Sequence, residues 1–251
     1  MKQTLIFAHR GANREAAENT RSAFDRALQY PIDGIETDVQ LSRDEVAVLW
    51  HDRFLGKLGH PLKHIDDFDY AQLQQMNFAA HFSAHARPEG ILSLKEFLDA
   101  YRTRCRLLLE IKNRDWEPPG RHEIKIRQTL AMVGAVSGDA IIISSFNLAS
   151  LVHAHQCAPG FPLVYNLETD QDFADEQQAL SGQSFLRGLC LPIETLDESM
   201  VGLLRDHGKL IAVYTCNSDA EIGKALEMGV DILISDVPQK ALQMRDKRIN
   251  P

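Results

Sequence analysis

Glu36 and Asp38 stand two residues apart in the run GIETDVQL (34–41), a spacing that in a β-strand aims both carboxylates at the same face. Two desolvated carboxylates repel unless a proton or a cation lies between them. Glu110, near the end of the run RLLLEI (106–111), supplies a third hard oxygen donor. Three such oxygens suit Mg²⁺ or Ca²⁺ rather than a soft metal. A salt-bridge network closed by Arg10 and Lys112 would satisfy the same carboxylates, and spacing leaves both arrangements open. His9 and His51 could exchange protons near neutral pH, while Arg10 and Lys112 offer donors to an anionic, tetrahedral group. A divalent cation, two imidazoles and two basic side chains together suit cleavage of a phosphate ester. The other histidines, at 60, 64, 81, 85, 122, 153, 155 and 207, read mostly as structural.

Positioning such a set requires several strands. Nine short apolar runs recur, at 4–8, 34–41, 46–50, 106–111, 140–145, 162–167, 186–192, 210–215 and 231–235. Their hydrophobicity is continuous rather than alternating, which marks strands covered on both faces, as in parallel sheets. Helical segments lie between most of them, including NTRSAFDRALQY (19–30), SLKEFLDAYR (93–102) and DAEIGKALEMG (219–229), each opening on a capping residue. Strand and helix alternating over this length predict an α/β fold, a (β/α)₈ TIM barrel. The ninth run is accounted for by SRDE (42–45), too short for a crossover between parallel strands, so 46–50 is expected to return along 34–41 as a hairpin. That return carries His51 and Asp52 to the level of Glu36 and Asp38. Residues 53–90 are scattered in composition, with one convincing helical piece at 69–77, and read as a small insertion or lid over one face of the barrel. The carboxyl ends of barrel strands are where chemistry collects: His9 and Arg10 follow the first predicted strand, Glu36 and Asp38 lie in the second, Glu110 and Lys112 close the run at 106–111 and Asp236 follows the last, which gathers ionisable residues at one predicted rim.

Composition bounds the partners. The chain has 251 residues, of which 44% are hydrophobic and 25% charged, enough apolar material for one large core over 1–251. A formal net charge of −8 argues against a nucleic-acid groove or an anionic membrane surface as the main partner. Cys105, Cys157, Cys190 and Cys216 are widely spaced and form no CxxC pair, which fits reduced thiols in the cytoplasm. No apolar run approaches the ~20 residues of a membrane helix, so no membrane anchor is expected.

Seven short motifs then occur in order: HRG (9–11), ENT (18–20) followed by AF (23–24), GIETDVQLSRD (34–44), HD (51–52), LEIK (109–112), SSFN (144–147) and GVDILISDVP (229–238). Together they resemble the glycerophosphodiester phosphodiesterase family, of the cytoplasmic bacterial type, over nearly the whole chain. The resemblance implies a barrel enzyme that hydrolyses glycerophosphodiesters to glycerol 3-phosphate and an alcohol. It implies His9 and His51 as the acid–base pair, Glu36, Asp38 and Glu110 as ligands of one divalent cation, Mg²⁺ or Ca²⁺, and Arg10 and Lys112 as phosphate contacts. It also implies that Glu18 holds the metal or His9 from behind, with Asp52 in a similar supporting place, while Asn19 or Thr20 caps the following helix. Phe146 and Tyr214 either line the glycerol pocket or pack the core. Asp236 and Pro238 either orient the metal's surroundings or end the last strand in a turn. The sequence reads Tyr214-Thr215-Cys216-Asn217 where the family commonly has Trp-Thr-Val-Asn, and RFLGKLGHPL, from Arg53, lacks the family's threonine-rich stretch. The partner expected is a small-molecule glycerophosphodiester, acted on by a monomer or homodimer. Lysophospholipase D-type hydrolysis of lysophospholipids, and a non-catalytic barrel that binds a phosphate ligand, are the alternatives.

Overall fold

The computed structural model of the chain describes residues 3–83, 85–113, 117–135, 138–171 and 173–249. Among the described residues nine strands form, each on one of the nine apolar runs: β1 (Leu5–His9), β2 (Gly34–Leu41), β3 (Ala47–Leu49), β4 (Arg106–Ile111), β5 (Ile141–Ser145), β6 (Leu163–Asn166), β7 (Gly188–Pro192), β8 (Leu210–Tyr214) and β9 (Ile232–Ser235). Eight are parallel, and the ring closes because β1 pairs with both β2 and β9. This is a (β/α)₈ barrel. β3 lies outside the ring, antiparallel to β2, with Val39 opposite Leu49 and Leu41 opposite Ala47. The hairpin return is therefore present, and its turn is tight: Ser42 both donates to and accepts from Val46, and Glu45 takes a positive φ of 62°.

Helices follow the strands: α1 (Arg21–Ala27), α2 (Tyr70–Leu73), α3 (Leu94–Tyr101), α4 (Pro119–Val133), α5 (Leu148–Cys157), α6 (Phe173–Gly182), α7 (Glu198–Asp206), α8 (Asp219–Met228) and α9 (Pro238–Ile249). Capping sets their starts. Thr20, Ser93, Asn147, Asp197 and Ser218 each accept from a backbone N–H of the first turn, and Pro238 opens α9 where no donor is needed. α1 is shorter than the expected 19–30 because Pro31 bars helical geometry at the residue before it. The expected helix at 69–77 shrinks to four residues. Beyond Gln74 the hydrogen bonds tighten to the third preceding residue, and the Asn77 side chain accepts from Ala79 and Glu89 instead of continuing the helix.

The pleat sorts side chains into two layers. Phe7, Leu108, Ile142, Val164, Ala212 and Ile234 fill the barrel interior, while Ile6, Ile35, Val39, Leu107, Leu109 and Ile143 face the helices. Each fully buried aliphatic side chain contributes roughly 1.5–3 kcal/mol. A third cluster, Val48, Trp50, Leu55, Ile65, Leu73, Phe78 and Ile91, sits under the segment after the hairpin, so 53–90 carries a small core of its own against β3. Gly11 joins β1 to α1 at φ +85°, and a Cβ there would stand 2.6 Å from the backbone carbon of Ala23. Among the described residues no helix is long and apolar enough to cross a membrane.

Candidate active site

Register brings the acidic residues together. Glu36 pairs with His9 across β1 and β2, and Asp38 pairs with Glu110 across β2 and β4. Same-face alternation then turns Glu36, Asp38 and Glu110 into the barrel, above its apolar floor. One oxygen from each lies within 4.8 Å of the others, and all three residues are buried. Burial and the neighbouring Asp38 push the Glu36 carboxyl well above the ordinary carboxylate range. Burial disfavours charge on Asp38 too, but Arg10, His51 and Lys112 outweigh it and hold Asp38 far below that range.

Both sequence alternatives for this cluster have a counterpart in the geometry. Arg10 Nε lies 3.2 Å from Asp38 Oδ2, and Lys112 Nζ lies 2.6 Å from Glu110 Oε1 and 3.5 Å from Asp38 Oδ1. Among the described residues, Glu36 gains the Arg10 backbone N–H at 3.2 Å and His9 Nε2 at 3.8 Å. Two basic side chains thus face three carboxylates. Apart from its ion pair with Lys112, Asp38 Oδ1 is buried with no hydrogen bond.

The two histidines are each gripped at Nδ1. His9, the last residue of β1, approaches Asp236 Oδ1 at 2.6 Å, and His51 approaches Asp52 Oδ1 at 2.9 Å. Burial, with Arg10 beside it, pushes the His9 imidazole toward its neutral form. Asp236 is itself held by Asn13 at 2.6 Å, Asn217 at 2.9 Å and Arg14 at 3.1 Å. It orients His9, and the trio of carboxylates does not include it. Pro238 is simply the first residue of α9.

Glu18 meets Arg10 Nη1 at 3.1 Å and Lys57 Nζ at 2.8 Å with its two oxygens, so it supports Arg10. Asn19 does more than start a helix: it donates to Asp38 Oδ2 at 2.9 Å and accepts from Thr37 at 2.7 Å, leaving Thr20 as the cap of α1. Phe146 and Tyr214 meet edge to face with ring centres 5.8 Å apart, and both line a cavity of about 160 Å³ with His9, Arg10, Glu36 and His51. A wider cavity of about 470 Å³ opens beside it, sharing His51, Lys112 and Phe146 and bounded outward by Arg53, Asn147 and Glu168. The roles of Asn19, Lys57, Asn13 and Asn217 had no signal in spacing, because each depends on which chain segments become neighbours in the closed ring.

The family model of the glycerophosphoryl diester phosphodiesterase family matches residues 9–240. A glycerophosphodiester phosphodiesterase of Bacillus subtilis is 28% identical, over 93% of this chain and 84% of that protein. One from Bacillus altitudinis is also 28% identical, over 97% and 99%. Among solved structures, a phosphodiesterase of Oleispira antarctica in complex with the product sn-glycerol-3-phosphate is 27% identical and superposes with a TM-score of 0.84, covering 97% of each chain.

Proposed function

The chain belongs to the glycerophosphoryl diester phosphodiesterase family, and from that membership we propose that it hydrolyses glycerophosphodiesters to glycerol 3-phosphate and an alcohol at this rim, with His9 and His51 as its acid–base pair. The observation that carries the reading is the buried trio Glu36, Asp38 and Glu110, open to a cation and set beside two imidazoles. An orphaned carboxylate oxygen on Asp38, a carboxyl on Glu36 that burial drives toward protonation, and an all-oxygen donor set fit a hard divalent ion, Mg²⁺ or Ca²⁺. Glu36, Asp38 and Glu110 would hold it, and when bound it withdraws charge from the phosphoryl oxygens.

The chain's own groups supply the rest. Arg10 and Lys112 donate to the phosphoryl oxygens, each kept charged by carboxylates although burial opposes it. With Nδ1 of both histidines directed at a carboxylate, Nε2 is the nitrogen left for substrate. One Nε2 removes a proton from the attacking nucleophile, and the other protonates the departing alkoxide, each transfer typically worth about 10²–10⁴-fold; water is that nucleophile directly, or it opens the cyclic phosphate that a glycerol hydroxyl would form, and either route releases glycerol 3-phosphate. Phe146 and Tyr214 wall the smaller cavity around the glycerol, and the wider one receives the alcohol. The four free thiols fit a reducing compartment such as the cytoplasm.

The test is release of glycerol 3-phosphate from glycerophosphocholine with EDTA, then with Mg²⁺ or Ca²⁺ restored, alongside His51→Ala. Cation-dependent release, lost by at least about 10²-fold in the variant, is the expected result. A folded protein that releases nothing with either metal overturns the reading, and lysophospholipids are then the substrates to try.

A further inference from the structure

Lys57 is the central residue of a single 3₁₀ turn, Gly56–Leu58, at the start of the segment after the hairpin. Its ammonium meets Glu18 Oε1 at 2.8 Å and Asp52 Oδ2 at 3.0 Å. The other oxygen of each carboxylate grips a residue assigned above to the reaction: Glu18 Oε2 takes Arg10 Nη1 at 3.1 Å, and Asp52 Oδ1 takes His51 Nδ1 at 2.9 Å. Both carboxylates therefore use one oxygen on the site and the other on the same ammonium. The lysine stem is fixed from below, because Leu55 is fully buried in the small core and Lys57 Nζ lies 5.8 Å from the ring centre of Trp50.

We propose that Lys57 is a positioning residue, the clasp by which the 53–90 segment holds His51 and Arg10 in place, so that this segment is a working part of the site; the inference rests on the roles proposed above for those two residues. Removing the ammonium leaves Glu18 and Asp52 facing each other as like charges with nothing between them, and they move apart. The consequence is unequal for their partners. Arg10 retains Asp38 as a second anchor, whereas the contact to Asp52 is what fixes the His51 tautomer. Proton transfer should suffer more than substrate binding.

The experiment compares Lys57→Met, which keeps the stem over Trp50, with Lys57→Arg, which restores the charge, and with Lys63→Ala as an exposed control in the same segment. With glycerophosphocholine and restored metal, Lys57→Met is expected to lower kcat by about tenfold or more, as loss of a supporting partner commonly does, with KM changed by less than about threefold. Lys57→Arg should recover most of the loss, and Lys63→Ala should stay within about twofold of the parent. Hydrogen exchange over 48–78 is followed in parallel, and the imidazole ¹⁵N signals of His51 are recorded without substrate. A tautomer mixture at His51 in Lys57→Met, with protection of 48–78 intact, supports the clasp. Unchanged kcat, or a loss that tracks exposure of the whole segment, overturns it. If the parent protein is itself inactive, the functional reading falls, yet the ¹⁵N spectra still decide the inference: an unaltered His51 tautomer in Lys57→Met refutes it.

Discussion

At the scale of single residues, the groups suited to the chemistry were legible because type and spacing name them. Two carboxylates two apart in a strand must share a face, and Glu36 and Asp38 do. Their supports were illegible for an equally physical reason. Asp236 meets His9 across 227 positions of sequence, a contact created only when β9 closes on β1. The same residues fix a pH response. Asp38 and Asp236 are held below the ordinary range by their partners although burial opposes it, and Asp52 likewise sits at about 2. A carboxylate depressed in the folded state contributes stability that is present above its unfolded value, near 4, and is lost as pH falls through the folded one. His9, depressed by burial, adds a loss that begins below about 6.5, where the unfolded imidazole takes up a proton more readily. Glu36, raised instead, runs the other way and costs stability once it ionises. We expect the thermal midpoint of the metal-free protein to fall modestly below pH 6.5 and steeply between about pH 4 and 2. Melting curves at stepped pH check this, and a midpoint that rises below pH 4 would show the depressed carboxylates to be mispaired.

At the scale of elements, every strand was legible from continuous apolar runs, including the odd one that had to return as a hairpin. What sequence did not show is how the return is ended. Gln40, fully buried in β2, donates to the carbonyls of Trp50 at 2.6 Å, Asp52 at 3.1 Å and His51 at 3.2 Å. A glutamine inside a strand carries no periodic signal, because its value lies in matching carbonyls of a segment that has left regular structure. Replacing it by Leu removes the donor from the buried Trp50 carbonyl and from the half-buried carbonyls of His51 and Asp52, a buried acceptor left wholly unpaired costing about 1–3 kcal/mol. Gln40→Leu should cost at least about 2 kcal/mol in urea unfolding and lower kcat, since the backbone of His51 is no longer tied. Wild-type stability and turnover in that variant would mean that the hairpin alone positions His51. The short α2 was overestimated because apolar spacing over 69–77 continues past the point where Asn77 captures the backbone.

At the scale of the whole molecule, an acidic chain brings Arg10 and Lys112 to the carboxylate trio at one rim of a closed ring. The net charge of −8 offers no long-range attraction to an anionic ester, so on the proposed reading binding rests on Arg10, Lys112 and a cation on the trio. That trio ties β2 to β4 inside the barrel, and binding to the folded state alone must raise stability. Mg²⁺ or Ca²⁺ at about 100 times its dissociation constant should add about 2.7 kcal/mol and raise the melting midpoint by several degrees. Glu36→Gln should abolish that rise. Identical midpoints in EDTA and in excess metal would count against a cation at the trio.

If His9 acts as proposed, its pairing with Asp236 also bears on when activity can arise during synthesis. The HRG turn, the three carboxylates and His51 all precede β9 in the chain and are synthesised before the strand that leads to Asp236. Only after Ile232–Ser235 has emerged and slotted beside β1 does the first histidine acquire the carboxylate that orients it. On the role proposed for His9, chains released short of that strand should lack phosphodiesterase activity, and a chain truncated before Ile232 checks this.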